Sequence, residues 1–272
     1  MLNYYALVSK IHNLRVQIFV SFSNLYGLKL SLVTVVYNAQ DSIGQCIESV
    51  INQNYPNLEY IIVDGGSTDN TLNIISQYRP HIHILVSEPD HGIYDAMNKG
   101  IRLATSQIVG TLNADDQFAG PDVLKSVVAA FEQHDTDVVY GDVDIIGHKQ
   151  QIIRKWRSRP CTGNSFNLGF MPPHPTFYCK RELFEKLGFY SLDYGSAADF
   201  ELMLRFLHLN KIRSFYLKKV MVKMLTGGVS SKSFKNRLSA WRFDLKAMRK
   251  NRVTLPFLAL ILKPVQKLIQ FI

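Results

Sequence analysis

Cysteine is scarce: the chain has three, Cys46, Cys161 and Cys179, in 272 residues. They are odd in number, widely spaced and outside any CxxC or Cys/His cluster, which excludes a disulfide framework and a structural zinc site. No GxGxxG follows a predicted strand and no GxxxxGK[ST] occurs, so neither a dinucleotide-binding Rossmann unit nor a P-loop is present. Long apolar runs are missing too. The longest late one, Val253 to Leu262, contains Thr254 and Pro256 and stops at Lys263, whereas a membrane-spanning helix needs roughly twenty apolar residues. Lys10 and Arg15 interrupt the first segment, and no small-residue cleavage site follows it, so a signal peptide is not expected. Acidic residues are missing at both ends. Residues 1–30 carry Lys10, Arg15, Lys29 and no acid, and residues 211–272 carry fifteen Lys or Arg against Asp244 alone, so the middle is net acidic although the whole chain is +9. A basic tail interleaved with apolar residues points to an anionic membrane surface rather than to nucleic acid, and the cysteine usage fits the cytoplasmic side.

What is present is a strict alternation of two periodicities. Leu32 to Tyr37, Tyr60 to Asp64, Ile82 to Val86, Ile108 to Leu112 and Val138 to Tyr140 read as buried strands. Between them, helices are predicted from about Ser42, near residues 69–78, over 93–105 and from Pro121 to about Gln133. Such alternation means βαβ units, an α/β fold with a mostly parallel central sheet flanked by helices. From 142 to 180 the pattern breaks into short aromatic, Pro- and Gly-rich pieces; helices return over 181–187 and 197–209. Three regions are expected: an N-terminal extension over 1–30 at helix-like spacing, a catalytic domain over 31–230, and a basic amphipathic segment over 231–272. In the last, Phe234, Leu238, Trp241, Leu245 and Met248 share one helix face among Lys and Arg, the pattern of a helix lying in a membrane interface.

With the strands placed, Tyr37-Asn38, Asp64, Asp90 and Asn113-Ala114-Asp115-Asp116 fall at or just past carboxyl ends, where open α/β sheets hold ligands. Adjacent carboxylates there can hold a divalent cation against a diphosphate. Trp156 offers either a face for sugar stacking or core packing, and the run Arg154 to Arg159 reads either as a site for an anionic acceptor or as a solvated basic loop.

In order, the chain contains VTVVYNA, YIIVDGGSTDNT, EPDHGIYDAMNKGI, TLNADD, HPTFYCKRELFEKLGFY and AADFELMLRF. This set resembles the family 2 glycosyltransferases of the nucleotide-diphospho-sugar (GT-A) fold, and within them the branch that builds bacterial exopolysaccharide, such as the colanic acid transferases. The resemblance runs from about Leu30 to Ser231. It implies that Tyr37, Asn38 and Asp64 bind the base and ribose of a nucleotide sugar, UDP being the family's commonest nucleotide, that Asp90 assists, and that Lys99 sits near the phosphates. Asn113-Ala114-Asp115 stands where the family carries its DxD motif. The first Asp is Asn here, so binding of Mn²⁺ or Mg²⁺ falls to Asp115 with Asp116. Asp199 matches the family's catalytic base, although Ala198 replaces its usual Glu, and His174 flanks the acceptor side. The implied reaction is inverting transfer of a sugar to a lipid-linked saccharide at the inner face of the plasma membrane. A sugar nucleotidyltransferase would need a glycine-rich, basic loop after the first strand, and Val36 to Gln40 has neither feature. A non-catalytic membrane-associated carbohydrate-binding protein would have no use for Asp115, Asp116 and Asp199 together.

Overall fold

The computed structural model describes residues 27–147, 149–226, 234–268 and 270. The extension expected over 1–30 lies almost wholly outside these residues, as do the side chains of Phe234 and Leu238. The chain opens with β1 (Leu30–Val36), α1 (Ile43–Ile51), β2 (Leu58–Asp64), α2 (Thr71–Gln77), β3 (Ile84–Ser87), α3 (Ile93–Leu103) and β4 (Ile108–Asn113). β1 pairs in parallel with β2 and β4, and β2 with β3. Every residue of β1 is buried, as a strand covered on both faces must be. Its side chains alternate between two apolar layers. Leu30, Leu32 and Val36 join α1 and α2 through Ile43, Ile47 and Ile75, while Val33 and Val35 join α3 through Ala96, Met97 and Ile101.

Beyond β4 the sheet becomes mixed. β5 (Asp116–Phe118), α4 (Val123–Gln133), β6 (Val138–Ile146), β7 (Ile152–Trp156), β8 (Tyr178–Lys180), α5 (Glu182–Leu187), α6 (Ala198–Met203) and β9 (Ser214–Leu225) follow. The strand order is β3-β2-β1-β4-β8-β6-β9-β5, with β7 also on β6. β8 is antiparallel to both β4 and β6, β9 antiparallel to β5, and β6 and β9 run parallel. The helix expected over 197–209 is α6 followed by a π-helical turn from Leu204 to Leu209.

Two helices close the described chain, α7 (Phe234–Lys250) and α8 (Pro256–Leu268). Ala247, Met248 and Ala259 sit in the same apolar cluster as Phe200 of α6. This corrects the expected outward face of the tail. Met248 is fully buried against the catalytic domain, Leu245 is half-buried, and Trp241 is exposed. No helix among the described residues is long and apolar enough to cross a membrane.

Candidate active site

Strand register brings the predicted residues to one rim. Val36 lies opposite Asp64, Asp64 opposite Ser87, and Val35 opposite Asn113. The turns that leave these strands are bonded to one another. Asn38 lies in the left-handed region at φ 47, which Asn adopts more readily than most residues. Its Oδ1 accepts from the Thr68 N–H at 2.8 Å, and its own N–H donates to Ser67 Oγ at 2.8 Å. One residue further, the Ala39 N–H donates to Thr71 Oγ1 at 2.8 Å. Tyr37, 63% exposed, stands at the end of this knot.

Asp64 is fully buried. Its carboxylate accepts from the N–H groups of Gly66 and Ser67, both at 3.1 Å, and from the hydroxyls of Ser67 at 2.5 Å and Ser87 at 2.7 Å. Direct contact of Asp64 with a base or ribose is therefore corrected: it has no free surface, and it builds the turn that would make such contacts. Asp90 rests against that turn. A Cβ at Gly65 would lie 2.5 Å from its Oδ2, so a larger residue there would have to displace the carboxylate. Asp90 Oδ1 accepts from the Gly92 N–H at 2.7 Å. Lys99 pairs with Glu88 at 2.9 Å and donates to the Pro89 carbonyl at 3.0 Å, clamping the loop that carries Asp90. The bond to Glu88 raises its pKa.

At the end of β4 the polar groups are left open. Asn113 Oδ1 and both Asp116 carboxylate oxygens are buried without a hydrogen-bond partner. Burial, and then the charge on Asp115, push the Asp116 carboxyl well above the usual range; the Asn113 amide opposes this from outside hydrogen-bond geometry. Burial also raises Asp115, which is less enclosed, with His174 among the groups pulling it down. His174 Nδ1 in turn lies 3.3 Å from Asp199 Oδ2. Asp199, in the first turn of α6, accepts the Phe200 N–H at 2.7 Å. The Trp156 ring meets His174 edge-on at 6.3 Å. The structure thus brings Asp115, His174 and Asp199 into one cluster with Trp156 at its border.

The segments around this cluster are tied together by hydrogen bonds. Pairing of β6 with β9 slips around Asp142, a bulge of the kind that re-aims neighbouring groups. Beside it, the Gly141 N–H donates to Thr176 Oγ1 at 3.1 Å, and that hydroxyl donates to the Pro173 carbonyl at 2.8 Å, which fixes the loop bearing His174. Arg205 donates to the carbonyls of Leu187, Gly188 and Phe189 and pairs with Glu201 at 2.9 Å, tying α6 to the segment before it. Asn98 of α3 holds the same segment through both backbone groups of Tyr190, at 2.8 and 3.0 Å.

Sequence reasoning passed over Tyr94. Its hydroxyl donates to the Ser196 carbonyl at 3.4 Å, and burial, then the Asp199 charge, raise its pKa well above the ordinary phenol value. The signal was its position in the first turn of α3, directly after the loop that carries Asp90. The run Arg154 to Arg159 is not a continuous cationic strip. Arg157 bonds Asp144 at 2.6 Å, Arg154 lies 5.6 Å from the Trp156 ring and Arg159 lies 5.0 Å from that of Phe170.

The residues present fit a divalent cation. Asp115 and Asp116 adjoin, and both Asp116 oxygens and the neighbouring Asn113 Oδ1 are buried without partners. Among the described residues no group of three ligating side chains forms.

Residues 31–195 match the family described as "Glycosyl transferase family 2". A PGL/p-HBAD biosynthesis glycosyltransferase of Mycobacterium bovis is 33% identical over 184 residues, covering 64% of this chain and 68% of that protein. An uncharacterized glycosyltransferase of Mycobacterium tuberculosis is 34% identical over 181 residues, covering 65% and 68%. Among solved structures, a Pyrobaculum calidifontis mannosyltransferase in complex with GDP-Man and Mn²⁺ aligns with TM-score 0.63 at 18% identity, over 88% of this chain and 73% of that one. Staphylococcus aureus TarS 1–349 in complex with UDP-GlcNAc gives 0.60 at 15%, over 89% and 93%, and the chain spans 39% of the longer TarS structure. At such identities the likeness shows the fold, which is GT-A.

Proposed function

Since the chain belongs to glycosyltransferase family 2, we propose that it is an inverting, metal-dependent transferase moving a sugar from a nucleotide-diphospho-sugar, UDP-linked by preference, to a lipid-linked saccharide. Its product would enter an exopolysaccharide, capsule or O-antigen at the inner face of the plasma membrane. Tyr37, Asn38 and Asp90 would take the base and ribose, held in place by Asp64 and Lys99. Complexes of similar folds with UDP-GlcNAc and with GDP-Man and Mn²⁺ support a donor of this class.

Asp115, with Asp116 and Asn113 behind it, would hold Mn²⁺ or Mg²⁺. When bound, that cation neutralises charge on the departing diphosphate. On the other side of the sugar, Asp199 accepts the proton of the acceptor hydroxyl as the new C–O bond forms. His174 orients Asp199, and Trp156 borders the acceptor. The observation that carries this reading is the contact of His174 Nδ1 with Asp199 Oδ2 at 3.3 Å, with His174 also lowering the pKa of Asp115.

The test is nucleoside diphosphate release from a panel of nucleotide sugars, with and without Mn²⁺. Turnover should require the metal and a single donor class. Asp115→Ala should lower it by about three powers of ten, since metal stabilisation of a leaving group is worth several kcal/mol, with thermal stability retained. A folded Asp115→Ala protein with unchanged turnover would overturn the assignment.

A further inference from the structure

α7 and α8 form a hairpin held to the catalytic domain along a close seam. Gly169 sits at φ 76, and a Cβ there would lie 2.6 Å from the Lys263 nitrogen and 2.7 Å from the Ala259 carbonyl. Only glycine lets the α8 backbone come this near. Asn167 Oδ1 accepts the Thr254 N–H at 3.0 Å, and Gln266 Nε2 donates to the Leu168 carbonyl at 2.5 Å. Inside the seam, Lys263 Nζ bonds both oxygens of Asp244, at 2.8 and 2.9 Å, and lies 3.7 Å from the centre of the Phe200 ring.

Asp244 is the sole acid after residue 210. Because it is buried and paired with Lys263, the outward charge of the hairpin is positive alone. Arg242, Arg249, Lys250 and Arg252 are all exposed, while the exposed Lys246 turns back to the Asp193 carbonyl at 3.1 Å. Away from the seam, α8 shows Phe257 at 59% exposure, Leu258, Ile261 at 64% and Val265, with Leu255 just before them. These α8 positions recur at helical spacing and make one face. Arg249 reaches this face, its guanidinium 5.2 Å from the Phe257 ring. Single exposed apolar residues are ordinary, but a row of them along one helix face marks an interaction surface.

We propose that this α8 face docks in the interface of an anionic bilayer, with the α7 cations on its rim. Charge selects the occupant: an apolar strip bordered by cations, with no exposed acid among the described residues after 210, matches anionic lipid headgroups above acyl chains. The inference builds on the lipid-linked acceptor proposed above. Phe200, which lies under Lys263, directly follows Asp199, so the seam that fixes α8 adjoins the proposed base. Docking would bring a lipid-borne acceptor to Asp199 at a set height above the bilayer.

The test uses the full chain and sedimentation with two kinds of vesicle, phosphatidylcholine alone and phosphatidylcholine with phosphatidylglycerol. Binding should favour the anionic vesicles and fall as salt rises. Phe257→Glu with Ile261→Glu should weaken it at least tenfold, with donor hydrolysis and melting temperature unchanged. Arg249→Gln, Lys250→Gln and Arg252→Gln together should weaken it by about a hundredfold at low salt, at roughly fivefold per cation, and flatten the salt dependence. Vesicle binding untouched by the Glu pair, or absent in the parent, overturns the proposal. If the parent ignores vesicles and the Glu pair splits an oligomer seen by light scattering, the face is a contact between copies. Donor hydrolysis is read in every arm, so loss of docking with intact hydrolysis counts against docking alone.

Discussion

The parallel and mixed halves of the sheet treat their polar groups in opposite ways. Around β1 to β3 the turns are bonded to each other: Asp64 has four donors, and Asn38 joins two loops. At β4, β5 and the pieces beyond, Asn113 and Asp116 keep buried oxygens without partners. Ligand-free polar groups in a stable protein are normally satisfied. Bonded turns are preformed before a ligand arrives, whereas the open oxygens of Asn113 and Asp116 leave room for an outside partner. In the proposed reading, the donor-binding turns lie around β1 to β3 and the chemistry lies from the end of β4 onward.

The sharpest break of that comparison is Asp199→Asn. It should lower kcat by about two to four powers of ten, the usual scale for a positioned base, while donor affinity by calorimetry stays put; a collapse of affinity would move Asp199 to the binding half. Asp64→Asn should do the reverse. Losing charged hydrogen bonds in the turn should cost about 2–3 kcal/mol of stability in urea unfolding, with donor KM raised about tenfold and kcat nearly kept.

Glu59, in the parallel half but away from the rim, provides a control. Burial pushes its carboxyl up, but bonds from Ser31, Thr105 and Lys29 outweigh this and hold it down at about 2. A carboxyl depressed on folding stabilises above its unfolded pKa, and that stability is lost as pH falls through the folded one. Between about pH 4.5 and 2 the parent should lose on the order of 2 kcal/mol that Glu59→Gln lacks, visible as converging melting curves. Lys99→Met should have the smallest effect, raising donor KM about two- to threefold at low salt and less at high salt, as for a solvent-screened ion pair.

How much was legible follows the same division. β1, β2 and β4 are enclosed on both faces, so each reads as an unbroken apolar run, and their ends located the rim. β5 and β8 have three residues apiece, too few for any period to emerge. β9 was hidden by Lys218, Lys219 and Lys223, which resemble the start of a basic tail, although Lys219 bonds Asp122 across the fold at 2.6 Å. Pro256 looked like an interruption but is the first residue of α8, where its missing N–H costs nothing. Asp64 was placed correctly at the rim but given a ligand contact, because no sequence pattern says that Ser67 and Ser87 enclose it. Tyr94 and Thr176 act through contacts distant in sequence, which spacing cannot encode.

β9 bears on where a minimal version of this enzyme could end. The family match stops at residue 195, yet Met224 of β9 is the register partner of Asp116, and Ser214 to Leu225 lie along β6. A fragment cut at the matched boundary would bare the edges of both β5 and β6 and remove the wall behind the aspartate pair. Bare edges invite pairing with other chains, so such a fragment should be recovered as aggregate. The smallest dissectible unit extends past Leu225, and a library of shortened or chimeric chains should place its junctions there rather than at the limit of sequence similarity.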